Sequence, residues 1–367
     1  MFRLITLATV LFWAVACSKE QPAQLDKVDK STMTQDVERK PFYTRNPMSK
    51  APAYTVEDQE RRLQFPGWGA EDPKFTLRFP DNGNYGRVIM EYTMGSEGKG
   101  PADYDNLVML YLKDKHSGEW LEFARLFTPF GGMFDSSWEM KFYLDITEYA
   151  PLLSGDTEFK FFYQGFDATE ERAHTMKIKI LCYNEGKGEI LGMQSLYDSS
   201  TNPNNGYRGW AYGVEGHSIE AQERLGERII NIPAGTKEIV VRMAITGHGH
   251  DLGSFPNRPD YTVYNAAEFD DNYYYFTLDG IRQDAVGHIF YSNAENYIQM
   301  GTYNYDRANW APGNPMNVQY WDIKRSSTAA QSMTIDIDLE EFVSSFDAPN
   351  AEGVAYYVVK CDAFFYR

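Results

Sequence analysis

The sequence predicts an all-β protein built of two antiparallel β-sandwich or jelly-roll domains. From about Val56 onward, short apolar or alternating runs recur, and Gly, Pro, Asn and Asp separate them, as is typical of strands joined by turns. Aromatic residues make up 15% of the 367 residues, with 26 Tyr and 23 Phe, and such an excess favours strands. Convincing helical patterns are few. Many short strands with turn signals indicate sandwiches or jelly rolls.

The first segment, residues 1–16, predicts a secretory signal peptide. Arg3 supplies one positive charge, an apolar run extends from Leu4 to Ala16, and small residues precede Cys17. The run is too short to span a bilayer, which needs roughly 20 apolar residues. A cysteine at the cleavage position suits lipid attachment, so we expect an extracytoplasmic bacterial lipoprotein tethered through Cys17 to the outer membrane or cell surface. A plain signal peptide followed by a chance cysteine is the alternative.

Two groups of strand-like runs follow a polar segment. Residues 17–55 carry four prolines and no sustained periodicity, which indicates a lipidated N-terminus with a flexible linker. A Gly- and Asn-rich break around Asn184–Gly188 separates the two groups, so we expect one domain over 56–184 and a second over 185–367. The predicted strands of the two groups include Phe75–Phe79, Arg87–Tyr92, Leu107–Leu112, Lys141–Leu144, Phe159–Phe166, Met176–Cys182, Glu238–Thr246, Met333–Leu339 and part of Gly353–Tyr366.

Charge and cysteine content limit the partners and the compartment. The formal net charge is −17, and so acidic a surface repels phosphate backbones, which argues against a nucleic-acid partner. Besides Cys17 the chain has only Cys182 and Cys361. Outside the cytoplasm these two could form a disulfide, or both could be buried free thiols, since cysteine packs as a small hydrophobe.

Four predicted loops concentrate polar residues that could carry chemistry, at 102–106, 247–251, 266–271 and 306–313. Catalytic groups commonly sit on loops that a rigid β-scaffold positions. The carboxylates of these loops suit a hydrolysis in which one deprotonates water and another positions substrate or donates a proton. The alternative is that each is a solvated turn residue. No Ser-His-Asp spacing and no Walker or Rossmann glycine motif is present.

His248 and His250 allow a second interpretation. In an extended chain, side chains two residues apart point to one face. With Asp251 they could chelate zinc or copper, although the other four histidines show no matching spacing. The competing interpretation is a pair of hydrogen-bonding histidines that line a groove.

Taken together, these segments resemble the peptide-N-glycosidase F family. The similarity begins near Phe75–Pro80 and continues to the C-terminus, and it is strongest over residues 103–130, from DYDNLVMLYLK to RLFTPF. Residues 144–161 match as well. In the second half the matching motifs are TGHGH at 246–250, AAEF at 266–269 and DRANWAPG at 306–313.

The resemblance implies a fold and an activity. The fold is two tandem eight-stranded antiparallel jelly rolls with the site in the cleft between them. The activity is hydrolysis of the amide that joins asparagine to the first N-acetylglucosamine of an N-linked glycan, with N-glycosylated proteins or glycopeptides as partners. The resemblance implies no metal and no other cofactor, and we expect a monomer.

The resemblance also assigns roles to residues. Asp105 occupies the position of the catalytic aspartate that activates water or polarises the linkage, and Glu268 that of the glutamate that orders water and the peptide-side amide. Arg307, Trp310 and His250 match residues of the substrate cleft.

Other positions of the expected substrate site depart from the family. Gln164 replaces an acidic residue and cannot ionise. Tryptophans are replaced by Tyr104, Phe166, His248 and Phe269, an arginine by Asn106, and cysteines by Ala267 and Ala311. Survival of both carboxylates favours an enzyme, whereas Gln164 favours a non-catalytic relative that binds N-glycans or glycopeptides. A zinc or copper protein remains a third hypothesis.

Overall fold

The computed structural model describes residues 35–36, 38–40, 43–44, 46–65, 70–81, 85–165, 171–186, 188–199, 224–249, 268–269, 271–292, 296–339 and 356–367. These residues form twenty strands, with short 3-10 helices at Gly131–Met133 and Thr147–Leu152. None of the helices found in these ranges has the length and apolar character needed to cross a membrane. The prediction of an all-β protein is confirmed.

Two sheets come from the first half of the chain. Sheet I has the order β3-β10-β7-β12-β4, with β5 also paired to β12, and sheet II has the order β6-β11-β8-β9. Every pairing in both sheets is antiparallel. Their strands are β3 (Tyr43–Thr44), β4 (Tyr54–Glu57), β5 (Arg61–Arg62), β6 (Lys74–Arg78), β7 (Arg87–Gly98), β8 (Leu107–Lys113), β9 (Trp120–Phe127), β10 (Met140–Asp145), β11 (Asp156–Tyr163) and β12 (Arg172–Tyr183).

Two further sheets use the second half of the chain and two early strands. Sheet III has the order β1-β17-β16-β19-β14, and sheet IV the order β13-β20-β15-β18-β2. Their strands are β1 (Gln35–Asp36), β2 (Glu38–Lys40), β13 (Ile190–Asp198), β14 (Arg228–Ile232), β15 (Glu238–His248), β16 (Asn272–Leu278), β17 (Ile281–Ile289), β18 (Val318–Lys324), β19 (Gln331–Leu339) and β20 (Tyr356–Tyr366).

The polar segment over residues 17–55 is more structured than the expected flexible linker, in the part that the structure describes. β1 pairs with the edge of sheet III, β2 with the edge of sheet IV and β3 with the edge of sheet I. An edge strand offers unpaired N–H and C=O groups, and a two- or three-residue segment can pair with them whatever its side chains are. Side-chain periodicity therefore does not reveal such strands.

The central strands β15 and β20 of sheet IV are buried on both faces. Along β20, the side chains of Tyr357, Val359 and Cys361 pack in one apolar cluster with residues of sheet III. Val358 and Phe364 pack in the other cluster, with residues of sheets I and II. The first half of the chain and the second half thus share a continuous core.

Cys182 and Cys361 are buried free thiols, so the disulfide alternative does not hold. Cys182 lies in sheet I and Cys361 in sheet IV, and burial raises the pKa of the Cys182 thiol to about 12. Both side chains act as small apolar packing groups in their clusters.

A buried arginine ties the two halves together. Arg125 of β9 is wholly buried and donates to both carboxylate oxygens of Glu122, at 2.7 and 2.9 Å. It also crosses to sheet IV, where it donates to Thr246 Oγ1 at 2.7 Å and to the Val358 carbonyl at 2.8 Å. Because this guanidinium donates hydrogen bonds to both halves of the chain, it fixes their relative position at the contact between β9 and sheet IV.

We expect Arg125→Ala to lower the free energy of unfolding by about 3–5 kcal/mol, because it leaves the buried Glu122 carboxylate without its counter-charge. The control is Lys113→Ala, which removes an ion pair with Glu158 on the partly exposed surface and should cost at most about 1 kcal/mol. Urea unfolding of the three proteins measures both effects. Equal losses in the two variants would contradict a structural role for the buried pair.

Candidate active site

Three loops bring Asp105, Glu268 and Arg307 together. Asp105 lies just before β8, where the neighbouring Asn106 N–H donates to Thr128 Oγ1 at 2.7 Å. The Glu268 N–H donates to the Gly249 carbonyl at 3.1 Å, which ties its loop to the end of β15. Bonds donated by backbone N–H groups therefore hold Asp105 beside the start of β8 and Glu268 beside the end of β15.

Arg307 is the centre of the arrangement. Its Nε lies 2.8 Å from Glu268 Oε1, and its Nη2 lies 3.5 Å from Asp105 Oδ2. Nη1 donates to the carbonyls of Thr302 and Tyr305, at 2.8 and 3.0 Å, and Nη2 donates to Thr302 Oγ1 at 2.9 Å. One fixed guanidinium thus holds a carboxylate from each half of the chain.

Asp105 is electrostatically strained. Its Oδ2 is buried and has no hydrogen-bond partner among the described residues. Burial first, and then the negative charge of Glu268, raise the pKa of Asp105 well above its ordinary value, while the charge of Arg307 acts in the opposite direction. A carboxylate with a raised pKa is a stronger base, and its unfilled acceptor site is available to a ligand or water.

A stack of aromatic rings lies beneath the carboxylates. The Trp310 ring packs on Phe127 at 4.2 Å between centroids and on His248 at 5.4 Å, and His248 stacks in turn on Tyr356 at 5.3 Å. Trp310 Nε1 donates to the Gly247 carbonyl at 2.9 Å. The Arg307 guanidinium carbon lies 4.9 Å from the centre of the Trp310 ring, in a cation–π contact.

Three residues of the expected substrate site have buried side chains. Arg307 is 0% exposed, Trp310 4% and His248 6%. Of these three side chains, Arg307 contacts the carboxylates directly, and Trp310 contacts the Arg307 guanidinium.

His248 is a neutral hydrogen-bonding histidine. Its Nε2 lies 2.7 Å from Thr246 Oγ1, which already accepts a hydrogen bond from Arg125. The Thr246 hydroxyl can then donate its own proton to Nε2, which leaves the imidazole proton on Nδ1. Burial and the positive charges of Arg125 and Arg307 hold the pKa of His248 well below its usual range. For His248, these contacts support the hydrogen-bonding interpretation over the metal-binding one.

The other expected site residues lie around this centre. Gln164 Nε2 donates to the Tyr356 hydroxyl at 3.1 Å, which joins Gln164 to the aromatic stack. Phe269 packs edge-on against Tyr305 and lies 5.1 Å from the Arg307 guanidinium. Tyr104 is 73% exposed beside Asp105. The other expected positions His250, Asp251, Phe166, Ala267 and Cys17 lie outside the described residues.

Sequence reasoning missed several residues that shape the site. Thr302 and Tyr305 bind Arg307 through backbone carbonyls, which leave no signal in the side-chain pattern. Arg125 and Tyr356 reach the stack from strands distant in the chain. Within the ranges that the structure describes, no three His, Cys, Asp or Glu side chains group in a way that could hold a metal ion.

Comparison with known proteins identifies relatives with this fold. No family model matches the chain. It is 23% identical over 263 residues to peptide-N(4)-(N-acetyl-beta-D-glucosaminyl)asparagine amidase F of Elizabethkingia miricola, an alignment that covers 70% of this chain and 67% of that protein.

Solved structures agree with this relationship. A recombinant peptide:N-glycanase F superposes with a TM-score of 0.66 at 18% identity, over 85% of this chain and 95% of that one. PNGase F from Flavobacterium meningosepticum, described as a glycosylasparaginase, gives 0.62 at 18% identity, over 85% and 96%. PNGF-II gives 0.60 at 15% identity, over 85% of this chain and 65% of that one.

Proposed function

We propose that this chain, a divergent member of the peptide-N-glycosidase F family, hydrolyses the amide that joins asparagine to the first N-acetylglucosamine of N-linked glycans. The observation that carries the proposal is the grouping of Asp105 and Glu268 around the buried Arg307. A related protein is named as the amidase for this linkage.

The proposed reaction uses Asp105 as the base. Its Oδ2, which accepts no hydrogen bond from the described residues, accepts a proton from a water molecule, whose oxygen then bonds to the side-chain carbonyl carbon of the substrate asparagine. The C–N bond breaks, the nitrogen takes up the proton, and the glycan leaves as a glycosylamine. The asparagine becomes an aspartate.

Glu268 and Arg307 position the reacting groups. The 2.8 Å contact with Arg307 fixes the orientation of the Glu268 carboxylate, so that it can order the water or the peptide-side amide. Arg307 itself is too buried to bind a glycan and instead supplies the positive charge that keeps two neighbouring carboxylates in place.

The binding-only alternative is less well supported. Gln164 has no charge and hydrogen bonds to Tyr356, so it cannot act as a third base. However, a buried carboxylate oxygen without a hydrogen bond is costly to a fold, and strained groups of this kind concentrate at catalytic sites. Asp105 therefore favours the enzyme.

We extend the proposal to architecture and location. Apart from the two- or three-residue strands β1, β2, β3 and β5, sheets I and II would form one eight-stranded jelly roll and sheets III and IV a second, and the two would meet near residue 185. The apolar run before Cys17 supports lipidation there and a membrane tether. Cys17→Ser should then move the protein from the membrane fraction to the soluble fraction, and unchanged partitioning would refute the anchor.

The decisive experiment is hydrolysis of one defined N-glycopeptide in water enriched in ¹⁸O. The proposal expects a free glycan and a peptide whose asparagine has become an aspartate with one heavy oxygen atom. Glycopeptide binding without this conversion would establish the non-catalytic alternative.

A further inference from the structure

Exposed apolar side chains are concentrated beside the carboxylate pair. Among the described residues, seven large hydrophobic side chains are exposed, and four of them are Tyr104, Met133, Ile298 and Met300, at 73%, 50%, 71% and 55%. The other three, Tyr54, Ile229 and Ile281, lie apart from one another on β4, β14 and β17. Isolated apolar residues on a surface need no explanation, but a cluster indicates an interaction site.

The loops of Tyr104 and Met133 form one unit. The Gly131 N–H donates to the Ala102 carbonyl at 3.1 Å. Arg172 donates to the carbonyls of Pro101 and Gly131, at 2.9 and 2.7 Å, and its Nε lies 3.1 Å from Asp103 Oδ1. These bonds hold the two exposed side chains on a common support.

A buried glutamine attaches the third loop. Gln299, 5% exposed, accepts a hydrogen bond from the Phe130 N–H at 2.9 Å and donates to the Pro312 carbonyl at 2.9 Å. Because Gln299 points inward, its neighbours Ile298 and Met300 point to solvent.

The three loops also touch. A methyl group added to Gly132 would lie 3.4 Å from Met300 Sδ and 3.2 Å from Asp103 Oδ1. Met300 therefore lies over the turn that carries Met133 and beside the loop that carries Tyr104. We name Tyr104, Met133, Ile298 and Met300 the methionine patch.

The patch is continuous with the candidate active site. Tyr104 immediately precedes Asp105 in the chain. At the other end, Thr302 follows Met300 by two residues and accepts hydrogen bonds from Arg307 through both its carbonyl and its hydroxyl. Chain adjacency at Tyr104 and the bonds of Thr302 thus connect the patch to both carboxylate-bearing parts of the site.

We propose that the methionine patch binds apolar side chains of the polypeptide that flanks the glycosylated asparagine, so that glycopeptides with apolar flanking residues are preferred over those with small polar ones. This rests on the proposed function. Methionine is flexible and polarisable, and it adapts to side chains of varied shape.

The test compares two glycopeptides with the same glycan, one with Leu and Phe flanking the asparagine and one with Ser and Gly. We expect the wild type to favour the apolar peptide about tenfold in kcat/KM and in affinity. The double variant Met133→Ser/Met300→Ser should bring this ratio close to one. Ile229→Ser, which removes an equally exposed side chain from β14, is the matched control and should keep the wild-type ratio.

Separate readouts distinguish failure of the patch from failure of the activity. If the wild type binds the apolar peptide more tightly, the double variant loses this preference, and neither peptide is turned over, the result supports the patch and refutes the proposed hydrolysis. Turnover with equal kcat/KM and equal affinity for both peptides overturns the patch. Two other outcomes also overturn the proposal, provided that the double variant keeps the wild-type preference between the two peptides. In the first, the wild type self-associates and the double variant does not. In the second, the wild type adsorbs to phosphatidylcholine vesicles and the double variant does not.

Discussion

Asp105→Asn should lower the rate of amide hydrolysis by about 10²–10⁴-fold, the usual loss when a positioned general base is removed. Asparagine keeps the size of the side chain, but its amide cannot take a proton from water. Glycopeptide affinity should change little, since the amide still offers a hydrogen-bond acceptor and a donor. Single-turnover kinetics and equilibrium binding on the same glycopeptide separate the two effects.

The same substitution should stabilise the fold. The pKa of Asp105 is raised in the native protein, so the native state holds its proton more tightly than the unfolded chain does. As the pH rises above about 3.9, the ordinary value for aspartate, the unfolded state ionises first and stability is lost. Asp105→Asn removes this loss, and its Tm should exceed that of the wild type at pH near 7 but much less at pH near 3.

Asp114→Asn, at the other end of β8, is the matched control. Burial alone would raise the pKa of Asp114, but hydrogen bonds from the His116 N–H and from Ser117 outweigh it and lower the pKa. Its removal should therefore reduce the Tm at neutral pH and leave hydrolysis intact. Full activity in Asp105→Asn, or a fall in Tm at neutral pH, would contradict the role assigned to Asp105.

Much of the fold is readable from the sequence because alternation is a local property. The predicted strand Leu107–Leu112 corresponds to β8, and Met333–Leu339 lies within β19, where Ile335 and Ile337 face the core. The strand predicted over Phe159–Phe166 ends earlier in the structure, because the last residue of β11 is Tyr163. Beyond it, Gln164 donates its N–H to the Leu107 carbonyl and directs its side chain to Tyr356.

The sequence is less informative where distant segments meet. In β20, Lys360 and Asp362 are fully buried and pair with each other at 2.8 Å, although charged residues ordinarily mark a solvent face. The Arg125 contact with the Val358 carbonyl joins residues 233 positions apart, and no local pattern predicts such a contact.

The composition of the candidate site was predictable through motifs, but its geometry was not. The loops that carry Asp105, Glu268 and Arg307 could be selected from the sequence, because polar residues are concentrated there between the predicted strands. Only the structure shows that Arg307 lies beneath both carboxylates, since its partners Thr302 and Tyr305 contribute backbone atoms that any residue type possesses.

Arg307 should be the most sensitive residue of the site. Arg307→Ala leaves two neighbouring carboxylates without a counter-charge and the Thr302 and Tyr305 carbonyls without donors. We expect a loss of about 3–5 kcal/mol in the free energy of unfolding. Arg307→Lys keeps the charge but not the planar set of donors. It should fold, with a hydrolysis rate lower by about 10²–10³-fold because the carboxylates lose their alignment.

The pH–rate profile separates an electrostatic role from a merely structural one. The Arg307 charge lowers the pKa of Asp105 and the Glu268 charge raises it. If hydrolysis needs the ionised carboxylate of Asp105, the acidic limb of kcat/KM should move to higher pH in Arg307→Gln and to lower pH in Glu268→Gln, whatever activity remains. Arg307→Lys should lie closer to the wild type than Arg307→Gln does. If the acidic limb of kcat/KM lies at the same pH in the wild type, Arg307→Gln, Arg307→Lys and Glu268→Gln, then Arg307 only supports the loops. Asp105 would then lose its assignment as the base.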